Sequence, residues 1–478
     1  MRRQRVHLAG MVAAAAGGLF GGPAFAQDFW NNPSGGSWAT GTSWSLGAPP
    51  ASASDTDAAF NLGSTAGYTV TLPSAESATN LYVQTDDVTI ALQSNLKIGT
   101  SSANGQVDIA AAAGQSASLT VEGVGYGPGI PTAFLESSGF MSIGGAGTGA
   151  LVATNGVDVT TQLGVNSNDI DVACSSAGNA NVTVTDGSSL QAGVNLNIAG
   201  GQLETGASLP GGTANITLAN SGSASSSFTT YVGANGGNGT VILSGGGLGG
   251  GSLIVGDAGT GLVTGSGSIF LPDNLYIGGN NGNGTVSLSG SLSYIETLQG
   301  GAVIGADPSG LAGTGLLELS NGSGCALIDQ DDPNPPPTPK NTMRIDSGGT
   351  VELLTGSGVD AAELIIAGGT LTIGLGGTST STNGSVDLSG LAKLGGTLNV
   401  VLTGGFDPAD GDQFELITFS SESGAFSAIN LPPLDPGLSW NTSQLYTSGA
   451  ISVVPEPAAA GLLLAAGTLL LRSKRVRV

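Results

Sequence analysis

Apolar and polar positions alternate along most of this chain in short runs. The runs starting at Tyr68 (YTVTL), Val88 (VTIAL), Val182 (VTV), Ile216 (ITL) and Thr240 (TVIL) are each bounded by Gly, Asn or Ser. A period of two marks a strand with one buried side, and the flanking residues are those of turns. Long apolar patterns at helical spacing are missing from the body of the chain.

A longer period lies over the short one. The segment from Tyr231 (YVGANGGNGTVILSG) is nearly repeated from Tyr276 (YIGGNNGNGTVSLSG), with shorter versions at Ser142 (SIGGAGTGAL), Ile254 (IVGDAGTGLV) and Val303 (VIGAD). The junction of an apolar residue with glycine falls at Gly233, Gly256, Gly278 and Gly305, in steps of 23, 22 and 27 residues. Near-equal steps of this size suit one coil of a stacked structure. The predicted fold is therefore all-β, a parallel β-helix or β-solenoid rod. At about 4.8 Å per rung, roughly fifteen coils between residues 60 and 400 give a rod of roughly 70 Å. A β-sandwich array is the alternative; equal steps without hairpin Asn-Gly doublets favour the solenoid. Asn and Thr are expected to form hydrogen-bonded ladders along the rod.

The rhythm changes at both ends, where a solenoid needs caps. Residues 27–60 hold Trp30, Trp38 and Trp44 and predict a Trp-rich N-terminal cap; residues 61–383 are assigned to the solenoid repeats. Residues 384–453 have more aromatic, alternating strands and predict a β-rich closing module. Within the repeats, the prolines of residues 329–344 exclude central strand and helix and predict a projecting loop.

Residues 27–456 carry four basic side chains, Lys97, Lys340, Arg344 and Lys393, against all 34 acidic ones, a net charge of −30. Such a body repels nucleic acid and anionic lipid. The one histidine, His7, lies near the N-terminus, so the body has none for Ser-His or Cys-His chemistry or for the usual zinc and iron sites. Cys174 and Cys325 are open to either a disulfide or two free thiols.

The first 26 residues read as a secretory signal: Arg2, Arg3 and Arg5, then an apolar stretch, then the small-residue cleavage site around Ala24 and Ala26. At the other end, residues 454–478 hold Pro455-Glu456-Pro457, an apolar segment over 458–471, and Arg472, Lys474, Arg475 and Arg477. A helix of fourteen residues is about 21 Å long, short for a hydrocarbon core of about 30 Å. The basic cluster orients it with its end in the cytoplasm. Either a transient or a permanent anchor fits this helix.

Motif, short apolar helix and basic terminus, in that order, resemble the PEP-CTERM sorting signal of Gram-negative bacteria. The secretory signal at the front calls for a signal peptidase. At the back the resemblance implies an exosortase-like transpeptidase or protease, transient insertion in the inner membrane, release to the surface or medium, and exopolysaccharide as associate. The Trp-rich start and the closing module are similar to those of autotransporter-like passenger proteins, except that no barrel follows.

Three groups of residues invite chemistry. Asp407, Asp410 and Asp412 (DPADGD) suit a turn that aims hard oxygens at Ca²⁺, or else a solvated acidic turn. Asp169 and Asp171 are a weaker version. Asp331 and Asp332 near Arg344 resemble the acid and base pattern of β-helical polysaccharide lyases. No cofactor other than Ca²⁺ is implied. Trp30, Trp38 and Trp44 offer flat faces for glycan contact if they are not cap residues. The resulting expectation is an exported structural protein of the cell surface or matrix, not an enzyme. A glycan-binding adhesin is the alternative, followed by a β-helical lyase or glycosidase.

Overall fold

The structure, a computed structural model, describes residues 26–52, 55–99, 105–124, 133–162, 168–202, 208–327 and 341–456. The signal segment with Ala24, the acidic-proline stretch with Asp331 and Asp332, and the tail with Pro457, the 458–471 segment and Arg472, Lys474, Arg475 and Arg477 lie outside the described residues. Among the described residues no helix is long and apolar enough to cross a membrane.

Strand alternation becomes a three-sided column. Face one is a fifteen-stranded parallel sheet running from Ala26–Phe29 through Thr56–Phe60 and Leu81–Val83 to Ser421–Gly424. Face two stacks Tyr68–Leu72 on Asp87–Leu92, Ser116–Gly123 and Thr148–Thr154, and continues to Ala428–Asn430. Face three stacks Leu96–Ile98 on Ala133–Ser137 and Val157–Thr161, and ends at Ile417–Thr418. From Thr56–Phe60 onward the coils visit the three faces in this order; the first coil, from Ala26–Phe29, has no face-three strand among the described residues. Two twelve-residue strands, Asn238–Gly249 and Thr260–Leu271, turn the corner from face two to face three unbroken and join the two faces into one sheet.

The interior follows from the period of two. On face one, Leu81, Val107, Met141, Ile170 and Leu196 lie in register on successive rungs and are fully buried. Each such side chain contributes about 1.5–3 kcal/mol by leaving water. Thr230 breaks this apolar column, and its hydroxyl donates to the Gly249 carbonyl at 2.9 Å, so the polar atom is satisfied.

The coils are less equal than the sequence suggested. In register, Val303 to Arg344 is 41 residues and Arg344 to Ile365 is 21. The rungs on either side of the longer coil stay paired in register. The solenoid also reaches beyond residues 61–383. Ala26–Phe29 already pairs in parallel with Thr56–Phe60, and Ser385–Leu388, Leu391–Leu394 and Thr397–Leu402 still carry rungs above them. Longer coils over a longer span give the same number of rungs. The loop predicted over 329–344 does not reach its C-terminal bound, because Thr342–Asp346 is a face-one strand with Met343 buried.

Each end is closed by its own device. At the N-terminal end Trp30, Trp38 and Trp44 pack on Phe60 and Tyr68; Trp44 meets Trp30 edge-on at 5.0 Å and Trp38 at 4.9 Å. Buried Asp86 ties the covering loop by accepting from Leu62 N, Ser64 N and Tyr68 Oη. At the other end Gln413–Glu415, Leu438–Asn441 and Ala450–Pro455 form a small antiparallel sheet, and Trp440 packs on Phe414. The closing module is this sheet and its connections rather than all of 384–453.

Candidate functional site

Most of the perturbed titratable groups gather on the outer side of face one. Two columns of side chains run up this surface. In the first, a side-chain oxygen on one rung accepts the backbone N–H of the next. Asn80 Oδ1 accepts Gln106 N at 3.0 Å, Asp169 Oδ1 accepts Asn195 N at 2.9 Å, Asn195 Oδ1 accepts Thr229 N at 3.2 Å, and Asn274 Oδ1 accepts Gly301 N at 3.0 Å. These side chains satisfy corner amides that the ladder leaves unpaired.

The second column passes through Tyr82, Asp108, Ser142, Asp171, Asn197 and Tyr231. Gln106 Nε2 donates to Asp108 Oδ2 at 2.8 Å and reaches Tyr82 Oη at 3.3 Å. Burial pushes the Asp108 carboxyl up to about 7, against the Gln106 hydrogen bond. Asp171 accepts from Asn197 Nδ2 at 2.8 Å and is pushed up to about 6, again by burial. Burial, followed by the Asp171 charge, holds the Cys174 thiol well above its ordinary value, so it stays protonated and is a poor nucleophile. Farther along, burial and then the charge of Asp307 raise Asp257, whose Oδ1 accepts no hydrogen bond among the described residues. Asp307 is already engaged, with Oδ1 accepting Ser309 N and Leu311 N.

Chemically, Asp108 and Asp171 are the pair of interest. They sit two rungs apart, about 9.6 Å at the rung spacing. That is close to the roughly 6.5–9.5 Å of an acid and base flanking a glycosidic bond. Asp171 is only 4% exposed, however, and is held by Asn197, which closes it to a substrate. A shallow hollow of about 290 Å³ near the end of face two is lined by Asn399, Val401, Leu402, Asn430 and Pro432 and contains no acid or base.

Several sequence expectations change here. Trp30, Trp38 and Trp44 are 0–2% exposed, with their rings packed on one another, so they have no face for a glycan; the cap reading stands in place of the glycan contact. Asp407, Asp410 and Asp412 do not converge. Asp412 Oδ2 accepts Ala409 N within the turn, Asp407 and Asp410 point to solvent, and no group of three metal-binding side chains occurs among the described residues. Arg344 is paired with Asp346 at 2.6 Å. Cys174 and Cys325 are both free. Ala26 opens the first face-one strand, and Glu456 N donates to Gly437 O, so the first two residues of the Pro-Glu-Pro motif belong to the closing sheet.

The Asp108 network was missed in the sequence, although a signal for it existed. Tyr231 and Tyr276 stand two residues before the corner glycines Gly233 and Gly278. Asp108, Asp171 and Asn197 stand two residues before Ala110, Ala173 and Ala199, which take the same left-handed corner at φ 49°, 51° and 55°. With alanine at the corner, the apolar-glycine repeat is hidden.

Comparison with protein-family models, curated proteins and solved structures finds no match for this chain.

Proposed function

We propose that the chain is an exported structural protein of the cell surface or extracellular matrix, sorted through its Pro-Glu-Pro tail by an exosortase-like enzyme and associated with polysaccharide. The observation that carries this reading is the join between body and tail. Ala450–Pro455 is zipped to Leu438–Asn441 and closes the column, so the last described strand runs into the start of the sorting motif at Pro455. A tail placed there can be cut without opening the core. Two further features support a structural role: both ends are capped, and the buried acids of face one are engaged mainly by the fold's own amides.

Intact mass of surface-extracted protein tests the reading. The expected mass lacks residues 1–26 and the segment that follows the motif. A protein recovered only from the inner membrane, with residues 458–478 still attached, would overturn it.

A further inference from the structure

We propose that the outer side of face three binds an uncharged polysaccharide, with Phe270 and Tyr294 stacking on its sugar rings. The inference rests on the polysaccharide-associated reading above and gives it a site and a ligand class.

Two columns face outward here in register. One runs Ser223, Gly247, Ser268, Tyr294, Gly324, Gly358; the other runs Ser225, Gly249, Phe270, Glu296, Ala326, Asp360. Phe270 and Tyr294 are each 43% exposed, and Phe228, at the neighbouring corner, is 58% exposed. Among the described residues only Phe29, at 37%, is another aromatic ring exposed to a similar degree, and it lies on face one. Rung spacing and strand rise place the Phe270 and Tyr294 backbones about 8 Å apart. Phe270 stands between Gly249 and Glu296 and Tyr294 between Ser268 and Gly324, so each ring has a small residue on at least one neighbouring rung.

The floor is the second observation. Gly247, Gly249, Gly324 and Gly358 all have negative or extended φ, so the backbone does not require glycine. A Cβ at any of them would meet nothing nearer than 3.4 Å, so packing does not require it either. Glycine inside a strand weakens it and marks a place where something approaches the backbone closely. Four such glycines beside two exposed rings are explained by a ligand that lies flat on the sheet.

Charge selects the ligand. The strip carries Glu296, Asp360 and, one rung on, Asp387, with no basic side chain. An acidic polymer is repelled. An uncharged pyranose chain presents C–H groups to the electron-rich faces of Phe270 and Tyr294, and hydroxyls to the serines and acids around them.

The test is native gel electrophoresis of the full-length protein in gels containing hydroxyethyl cellulose, dextran or alginate. Retardation by at least one neutral polymer is expected, weakened at least tenfold in Phe270→Ala and in Tyr294→Ala. Gly249→Val, which raises the floor and keeps both rings, should weaken it as well. Phe29→Ala, an exposed ring on another face, should not. No retardation by either neutral polymer, retardation by alginate alone, or retardation indifferent to all three strip substitutions would overturn the inference. So would a dimer that forms without polysaccharide and is lost in Phe270→Ala, since the strip would then belong to a second copy. Far-ultraviolet circular dichroism of each variant keeps misfolding apart from lost binding. A protein that is delivered and trimmed as proposed but ignores neutral polymers sinks this inference alone; one that binds them yet is never delivered to the surface sinks the sorting reading alone.

Discussion

On the outer side of face one, Asn195 commits both ends of its amide: Oδ1 takes Thr229 N and Nδ2 reaches Gln202 O. Two rungs farther on, on face three, Gly249 stands where a small residue would fit. Face one is rich in groups that look chemical, and nearly all of them are occupied by the chain's own amides or hidden by its own packing. The central rungs of face three carry glycines that neither the backbone conformation nor the packing requires, and these are the residues the fold leaves unexplained. In a stacked coil a perturbed carboxyl such as Asp171 reports burial before it reports catalysis. The positions open to function are those where substitution should cost the fold nothing.

This contrast can be broken or sharpened by measurement. The largest effect is expected at a face-one corner. Gly278 has φ 70°, and a Cβ there would fall on the Thr314 carbonyl oxygen of the next coil. Gly278→Ala should cost about 3 kcal/mol, combining left-handed strain with the displaced rung. A denaturant midpoint unchanged from the parent would show that the corner yields easily.

Next comes the pH response of Asp108. Its carboxyl sits at about 7 in the fold against an ordinary 3.8. Between those values the folded protein keeps a proton that the unfolded chain has lost, so this contribution to stability is complete below about pH 4 and gone above about pH 7. Melting temperature should therefore fall as pH rises through this window. Asp108→Asn, which keeps an acceptor for Gln106, should remove that part of the slope and gain about 1–2 kcal/mol at pH 7.5. Parallel profiles for parent and variant would show that the group is not buried as described.

The smallest effect is expected on face three. Gly324→Ala should be neutral or stabilising by up to about 1 kcal/mol, because the unfolded chain loses freedom and the strand gains a side chain. Destabilisation beyond about 1 kcal/mol would mean that the floor serves the fold after all, and would erase the distinction between the two faces.

The sequence made the strands legible because a period of two survives any coil length: Tyr68, Val70 and Leu72 point inward as their spacing required. Coil size was legible only where glycine marks the corner, from Gly233 to Gly305. Elsewhere Ala110, Ala173 and Ala199 do the same work without a signature. The C-terminal boundary was misplaced because residues 403–416 enlarge one coil, while Thr397–Leu402 and Ala428–Asn430 on either side of them still pair. The cap role of the tryptophans was legible from their place at the end of the repeats, but not their packing partners, since Phe60 and Tyr68 arrive from other segments. Nor was the face-three strip. Alternation says that Phe270 points outward, but only the register brings Gly249 and Tyr294 beside it.

Unequal coils also have a mechanical meaning. The bonds between rungs lie along the column, so a pull on one end strips coils away one after another. Each rung occupies only about 4.8 Å of height. The coil between Val303 and Arg344 stores roughly 140 Å of extended chain and the next, to Ile365, roughly 70 Å. Such a column lengthens under load in discrete steps of different reach, yielding many times its own thickness at each one while the rungs below it hold.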